Sequence, residues 1–473
     1  MLSIASRYLE YMGDINAIFK SYDIRGLYPQ EIDEEVCRNI GYAFAKFLLE
    51  EDPQTPKIIV GVDMRFSSES LSDQFVKGIL AHGLDVIHLG LSSTDMLYYA
   101  SGALGAPGAI FTASHNPAEY NGIKLCRAYA APIGEGSGLE RIKNLSNTLI
   151  DIPDESNGAV THVDLLEGFT DHILSFVKQE VITGKKIVAD TANGMGGLIV
   201  PSVFAQIPSE VDILYEELDG SFPNHPADPL NQENLKDLIK SVVDSSADIG
   251  LAFDGDADRV FLIDETGVPL SGSITTAIVA KSILDQQSDA TIIHNLICSQ
   301  VVEETIIAEG GKAVRSRVGH SHIKKLMAEI GAEFAGEHSG HYYFKRNFRA
   351  DSGIIAALIV LEYMSMKDVK LSELREMYDV YTSTGEINYG VRNQEELLKV
   401  IEQQFRNEKI DHLDGLTVRS ENWWFNLRPS NTEPLIRLNL EAESKSKCDE
   451  ILNSIENIIV AFDESDGNHS TIR

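Results

Sequence analysis

Cationic side chains are scarce in this chain: 40 lysines and arginines face 72 aspartates and glutamates over 473 residues, a formal charge of −32 at pH 7. That deficit argues against nonspecific nucleic-acid binding and against docking on anionic membranes, both of which need a basic footprint. It also means that a site for an anionic substrate must carry its own local positive charge, and clustered arginine should mark it. Cysteine is scarce too. Cys37, Cys126, Cys298 and Cys448 are scattered without a C-x-x-C pair, which suggests neither a disulfide framework nor a zinc knuckle and fits a reducing cytosol. No run approaches the ~20 apolar residues of a membrane span. The stretch from Met1 to Ile15, broken by Arg7, Glu10 and Asp14, lacks the apolar core of a secretory signal and reads as a short leading extension. A soluble, cytoplasmic protein is expected. Walker, Rossmann G-x-G-x-x-G and G-x-S-x-G sequences are missing as well, so nucleotide hydrolysis, hydride transfer and α/β-hydrolase chemistry have little support.

What is present is a repeated grammar: an apolar, β-rich run, a loop of small residues, then a helical pattern. Ile58-Ile-Val-Gly-Val62 precedes Asp63-Met-Arg65, Lys186-Ile-Val-Ala189 precedes Asp190-Thr-Ala-Asn-Gly194, and Ala290-Thr-Ile-Ile-His294 precedes Asn295. Such a pattern predicts three tandem α/β domains with buried mixed or parallel sheets. The last hundred or so residues differ. Leu416–Ser420, Trp423–Leu427 and Leu435–Leu440 read as short strands and Cys448–Val460 as a closing helix, a smaller α+β domain. Pro153–Gly158 is a polar break, Asp264–Gly267 a tight turn, and Thr382–Gly385 reads as a linker.

Four short stretches carry chemistry. Asp254-Gly-Asp-Ala-Asp258 puts three carboxylates in five residues, framed by the strand-like Ile249–Phe253 and Val260–Ile263. Alternate residues of an extended segment lie some 6 to 7 Å apart, too far to share an ion, so this loop must curl, and Gly255 and Ala257 are small enough to let it. Like charges so close need a cation among them, and an all-carboxylate set points to Mg²⁺, with Mn²⁺ as a substitute. Thr112-Ala-Ser-His-Asn-Pro117 follows the strand Ala109–Phe111 and sets Ser114 in a glycine-free turn. Alone it reads as an ordinary Ser/Asn turn; a metal loop beside it would make the hydroxyl a phosphate carrier. Arg428-Pro-Ser-Asn-Thr432, with Arg437 one strand later, groups a guanidinium, two hydroxyls and an amide as a phosphate fork, the local cation cluster that the acidic chain requires. Gly336-Glu-His-Ser-Gly-His341 places a carboxylate and a hydroxyl where they can hold vicinal sugar hydroxyls.

In this order, the motifs resemble the α-D-phosphohexomutase family from about Ile18 to Val460, with Tyr22-Asp-Ile-Arg-Gly26 similar to its N-terminal motif. The resemblance implies four domains around one central cleft, divided at 1–155, 156–265, 266–380 and 381–473. It implies that Ser114 rests as a phosphoserine, with Mg²⁺ held by Ser114, Asp254, Asp256 and Asp258. Lys124 and Arg25 are then the candidates for proton transfer, Lys124 needing a lowered pKa to act as a base. His341 and His320 match positions near the substrate. Tyr22, Arg259, Glu337, Ser339, Arg428, Ser430, Asn431, Thr432 and Arg437 would bind a hexose phosphate, and a hexose 1,6-bisphosphate would serve as activator. The form of the Glu337 loop, followed by Tyr342-Tyr-Phe344, looks like bacterial phosphomannomutases. Phosphoglucosamine enzymes more often carry glutamine in place of His338, which makes them the runner-up. A noncatalytic phosphosugar-binding protein of the same fold would have lost the serine or an aspartate, and none is missing. No nucleic-acid or membrane partner is expected, and the chain is expected to act as a monomer or dimer.

Overall fold

A computed structural model describes residues 15–55, 57–148, 152–153, 157–430 and 435–465, so the expected leading extension lies almost wholly outside the described residues. Four sheets follow one another along the chain. The first contains β1 (Ile24–Leu27), β2 (Lys57–Val62), β3 (Asp85–Leu91), β4 (Gly108–Phe111), β5 (Tyr120–Cys126) and β6 (Val160–His162), in the order β1-β5-β4-β2-β3-β6. Its inner strands β2, β3 and β4 run parallel, while β5 is antiparallel to β4 and β1. Every residue of β4 is buried, as expected for a strand covered on both faces.

The second sheet contains β7 (Lys186–Asp190), β8 (Glu210–Leu214), β9 (Ile249–Phe253) and β10 (Val260–Asp264), ordered β10-β9-β7-β8. The third contains β11 (Thr291–Asn295), β12 (Lys312–Ser316), β13 (Phe334–Gly336) and β14 (Tyr342–Phe344), ordered β12-β11-β13-β14. Each closes with one antiparallel strand on an otherwise parallel set. A single apolar core joins these two units and includes the helix Gly353–Lys367, whose residues 353–364 are all buried. A helix that is apolar all round belongs in an interior, and this one lies against β10 and the helix Gly272–Gln286.

The fourth sheet is antiparallel: β15 (Thr382–Gly390), β16 (Lys409–Asp411), β17 (Leu416–Arg419), β18 (Trp423–Pro429) and β19 (Leu435–Ala442), with the helix Lys445–Ser465 on one face. The reading of three α/β domains followed by a smaller α+β domain thus holds, with two corrections. Strand β6 pairs in parallel with β3, so the first sheet reaches past the limit expected at residue 155. Thr382–Gly385 is no linker but the start of β15, opposite Glu441 and Ala442, with a register shift between Ser383 and Glu386. Its polar, glycine-containing sequence reflects that irregularity in an exposed strand.

The fourth domain docks on the third through ion pairs, Arg419 to Glu303 at 2.9 Å and Arg315 to Asp411 at 2.8 Å. Beside them His294 is buried, with Nε2 lacking any hydrogen-bond partner among the described residues. Burial lowers its pKa to about 4, against the nearby Glu303 carboxylate, which raises it. An unfolded imidazole protonates near 6.5, so the folded state binds fewer protons between these values and loses stability as pH falls. The loss should be about 2 kcal/mol by pH 5. Melting curves between pH 7 and 5 should show a smaller decline in His294→Gln than in the parent chain.

Candidate active site

The β9–β10 hairpin pairs Phe253 with Val260 and leaves Asp254–Arg259 as a tight loop between them. Ala257 sits in the left-handed region at φ 60°, which gives the loop the curl that the sequence demanded. A Cβ on Gly255 would stand 2.4 Å from the Ser114 carbonyl oxygen, so the loop can approach the serine turn this closely only with glycine there. Ser114 itself has φ 50°, an uncommon conformation for a residue other than glycine, and its hydroxyl donates to Asp254 Oδ2 at 2.7 Å.

All three loop aspartates are buried. One oxygen from each lies within 4.8 Å of the others, and Oδ1 of both Asp256 and Asp258 lacks a hydrogen-bond partner among the described residues. Buried carboxylate oxygens without donors are what a bound cation satisfies, so the donor set fits a hard divalent metal ion. Burial pushes Asp254 up to about 7 although Arg259 opposes it, with Nε 2.9 Å from Asp254 Oδ2. Burial raises Asp256 as well, but Lys124 overrides this and holds Asp256 well below the usual carboxylate range.

Lys124, on β5, donates to Asp256 Oδ2 and Asp258 Oδ2, both at 2.6 Å. Burial alone would lower its pKa, yet the two carboxylates raise it well above that of a free lysine. The lowered pKa that a base role requires is thus the opposite of what this arrangement gives: Lys124 is an ammonium here. Arg25 donates to Asn116 Oδ1 at 2.6 Å and pairs with Asp23 at 2.5 Å, at the edge of the serine turn. Arg259 Nη2 approaches Ser114 Oγ at 3.3 Å and donates to His115 Nδ1 at 2.5 Å. Burial and the neighbouring arginines lower His115 to about 2, so it is a neutral acceptor.

Two residues missed in the sequence hold this centre together. Arg65 is buried, and its guanidinium donates to the carbonyls of Ser114 (2.8 Å), Asn116 (2.7 Å), Pro117 (2.7 Å) and Tyr120 (2.9 Å). The planar fork of arginine suits four converging acceptors, and lysine, with three donors, does not. Thr94 docks its helix on the metal loop, its amide donating to the Asp256 carbonyl at 3.2 Å and its hydroxyl to Asp256 Oδ2 at 2.5 Å. Asp63-Met-Arg65 was visible as a polar strand end, but nothing local says that its arginine reaches across 49 residues to the serine. Arg65→Lys should keep the fold and lower kcat by about 10- to 100-fold with little change in KM, as expected for lost positioning. Steady-state kinetics with circular dichroism as the folding control checks this.

The third domain brings Glu337 to the cleft as a buried carboxylate. It accepts from Asn295 Nδ2 (3.1 Å), the Gly319 amide (3.2 Å) and the Tyr343 hydroxyl (2.7 Å), which fix its orientation. Ser339 Oγ lies 3.1 Å from His341 Nδ1, and His341 Nε2 lies 3.8 Å from Asp258 Oδ1 and 3.9 Å from Asp351. The Glu337–His341 loop therefore reaches the aspartate loop. Burial holds His320 well below the usual histidine range, and its ring packs edge-on against Tyr22, centroids 5.3 Å apart.

Tyr22 also lines a cavity of about 300 Å³ with Arg317, Asp414, Arg428, Ser430 and Arg437, so three domains build it. Arg428 lies 3.6 Å from Glu386 and 3.7 Å from Asp414, and Arg437 lies 3.3 Å from Glu386. The expected arginine cluster is present, with Arg317 added from the third domain. Asn431 and Thr432 lie outside the described residues.

These four domains correspond one by one to known ones. Residues 16–149, 167–267 and 271–381 match alpha/beta/alpha domains I, II and III of phosphoglucomutase/phosphomannomutase, and 386–458 match its C-terminal domain. The chain belongs to the phosphoglucomutase/phosphomannomutase family. It is 39% identical to a phosphomannomutase of Methanocaldococcus jannaschii, over 96% of this chain and 99% of that one. It is 37% identical to a phosphomannomutase of Escherichia coli, over 90% and 94%. A solved phosphoglucomutase/phosphomannomutase family protein of Burkholderia thailandensis superposes with a TM-score of 0.86 at 27% identity, over 95% and 98% of the two chains.

Proposed function

We propose that this chain is a phosphomannomutase, interconverting mannose 1-phosphate and mannose 6-phosphate and accepting glucose phosphates at the same site. The observation that carries this reading is the junction of the serine and metal loops: Ser114 Oγ stands 2.7 Å from a carboxylate of a buried three-aspartate set whose free oxygens call for a cation. Ser114 enters as a phosphoserine. The bond between its oxygen and phosphorus breaks as a bond forms from phosphorus to a sugar hydroxyl oxygen, giving a hexose 1,6-bisphosphate. That intermediate turns end for end, and Ser114 recovers the other phosphate.

Asp254, Asp256 and Asp258, with the serine-bound phosphate, would hold Mg²⁺, which supplies charge neutralisation to the transferring group. Arg259 orients the serine oxygen and Arg65 fixes its backbone. Lys124, an ammonium here, is assigned to give its proton to the serine oxygen as the bond to phosphorus breaks and to take up the proton of the attacking hydroxyl in exchange, with Arg25 beside it as a fixed cation. His341 and the neutral His320 face the same cleft as hydrogen-bonding partners of the sugar. Glu337 and Ser339 grip the two hydroxyls that mannose and glucose share, which explains how one site serves both. A cytosolic location, with hexose 1,6-bisphosphate as activator, belongs to the same reading.

Arg428, Ser430 and Arg437, with Asn431 and Thr432, are assigned to the phosphate that does not react. It must be held equally well before and after the turn, so it contributes ground-state binding. Arg428→Ala should raise KM by ~10- to 100-fold, the loss of a charged hydrogen bond of about 1.5 to 3 kcal/mol, and should release more bisphosphate per turnover. Turnover of mannose, glucose and glucosamine 1-phosphates with added bisphosphate tests the reading as a whole. Preference for the glucosamine ester, or turnover of none, would overturn it.

A further inference from the structure

A second, larger cavity lies between the first and third domains, and apart from its rim it has no part in the chemistry above. It measures about 670 Å³, within the usual range for a small-molecule site. One wall is formed by Ala130–Pro132, and the other by Phe348, Arg349 and the helix face bearing Ser321 and Lys325. It shares Glu135, Arg317 and His322 with the phosphate cavity of the cleft, so the two adjoin.

Three observations mark it as a site for an anion. Ser321 is only 6% exposed, lines the cavity, and its hydroxyl has no hydrogen-bond partner among the described residues. Such groups are rare in folded proteins and need a partner from elsewhere. Four cationic side chains, Arg317, Lys324, Lys325 and Arg349, line the space against two carboxylates, Glu135 and Glu329, in a chain whose net charge is −32. Lys324 is committed to Asp351 at 2.9 Å and Lys325 lies 4.0 Å from Glu329, but the guanidinium groups of Arg317 and Arg349 form no ion pair among the described residues. Finally, Ala130 on one wall and Phe348 and Arg349 on the other are left-handed, at φ 55°, 55° and 63°. Backbone held in that region away from glycine concentrates at ligand-binding segments.

We propose that this cavity is a second phosphate-ester subsite, taking the phosphate of a hexose phosphate through Ser321, Lys325 and Arg349. A phosphate dianion offers only acceptors, which a hydroxyl, an ammonium and a guanidinium fork all match. Pro132 and Phe348 supply apolar surface for the CH face of the ring. The choice of a hexose phosphate rests on the function proposed above; the anion site itself does not.

Equilibrium dialysis of the full chain with labelled mannose 6-phosphate should find two sites per chain, both displaced by excess inorganic phosphate. Arg428→Ala should remove one. Arg349→Glu should remove the other while leaving kcat and KM at low substrate unchanged. Lys325→Glu, at an exposed helical position, should weaken that second site about tenfold and keeps the test valid if Arg349→Glu fails to fold. One site in the parent chain, or two undiminished sites in the folded variants, would overturn the proposal. A chain that binds two equivalents but turns over no hexose phosphate would instead count against the mutase reading alone.

Discussion

Ser114→Ala should purify without covalent phosphate and lose at least about four orders of magnitude in kcat. Thr112 Oγ1 already accepts from the Ser114 amide at 3.0 Å, and Arg259 Nη2 approaches Oγ of Ser114 itself. Without the serine oxygen, both half-reactions lack an acceptor or a donor, and covalent catalysis is lost rather than weakened. Intact-mass measurement should show a fractional addition of one phosphate on the parent chain and none on the variant. A variant that kept the added mass and near-normal turnover would disprove the covalent mechanism.

Asp256→Asn should lower kcat by about three orders of magnitude while the fold persists. Asp256 has one oxygen without a hydrogen-bond partner among the described residues, which a cation would take, and uses the other to receive Thr94 and Lys124. Asparagine keeps nearly the same shape but removes the charge that compensates both a metal ion and an ammonium. Lys124 keeps its second carboxylate, Asp258 at 2.6 Å, so the melting temperature should change little beside the rate. In the parent chain, excess chelator should abolish turnover and Mg²⁺ should restore it. Full activity in the chelator would remove the metal from the mechanism.

The pattern of apolar runs was enough to locate β2, β7, β11 and the terminal sheet, because burial on both faces writes itself into sequence as continuous aliphatic residues. The buried carboxylate cluster was legible for a related reason: three carboxylates in five residues between two such strands have few stable explanations. Thr382–Gly385 misled because an irregular, exposed strand has the composition of a loop. Strand β6 was lost because Val160, Thr161 and His162 are all exposed, and three exposed residues carry no periodic signal. Arg65, Thr94 and Arg317 were invisible as site residues for a different reason. Arg65 reaches carbonyls 49 or more residues away within its own domain, whereas Thr94 meets Asp256, and Arg317 joins Tyr22 and Arg428 around one cavity, only once separate domains have packed.

The cavity walled by Tyr22, Arg317 and Arg428 from three domains has a consequence for inheritance. No single segment of the gene encodes it. A domain exchanged with that of a relative can keep its own core and still arrive with the wrong wall, so recombination between relatives is constrained at surfaces that neither parent's isolated domain reveals. Such hybrids should fold as well as their parents and yet show a raised KM, and paired changes at Tyr22, Arg317 and Arg428, rather than at buried aliphatic positions, should be what lowers it again.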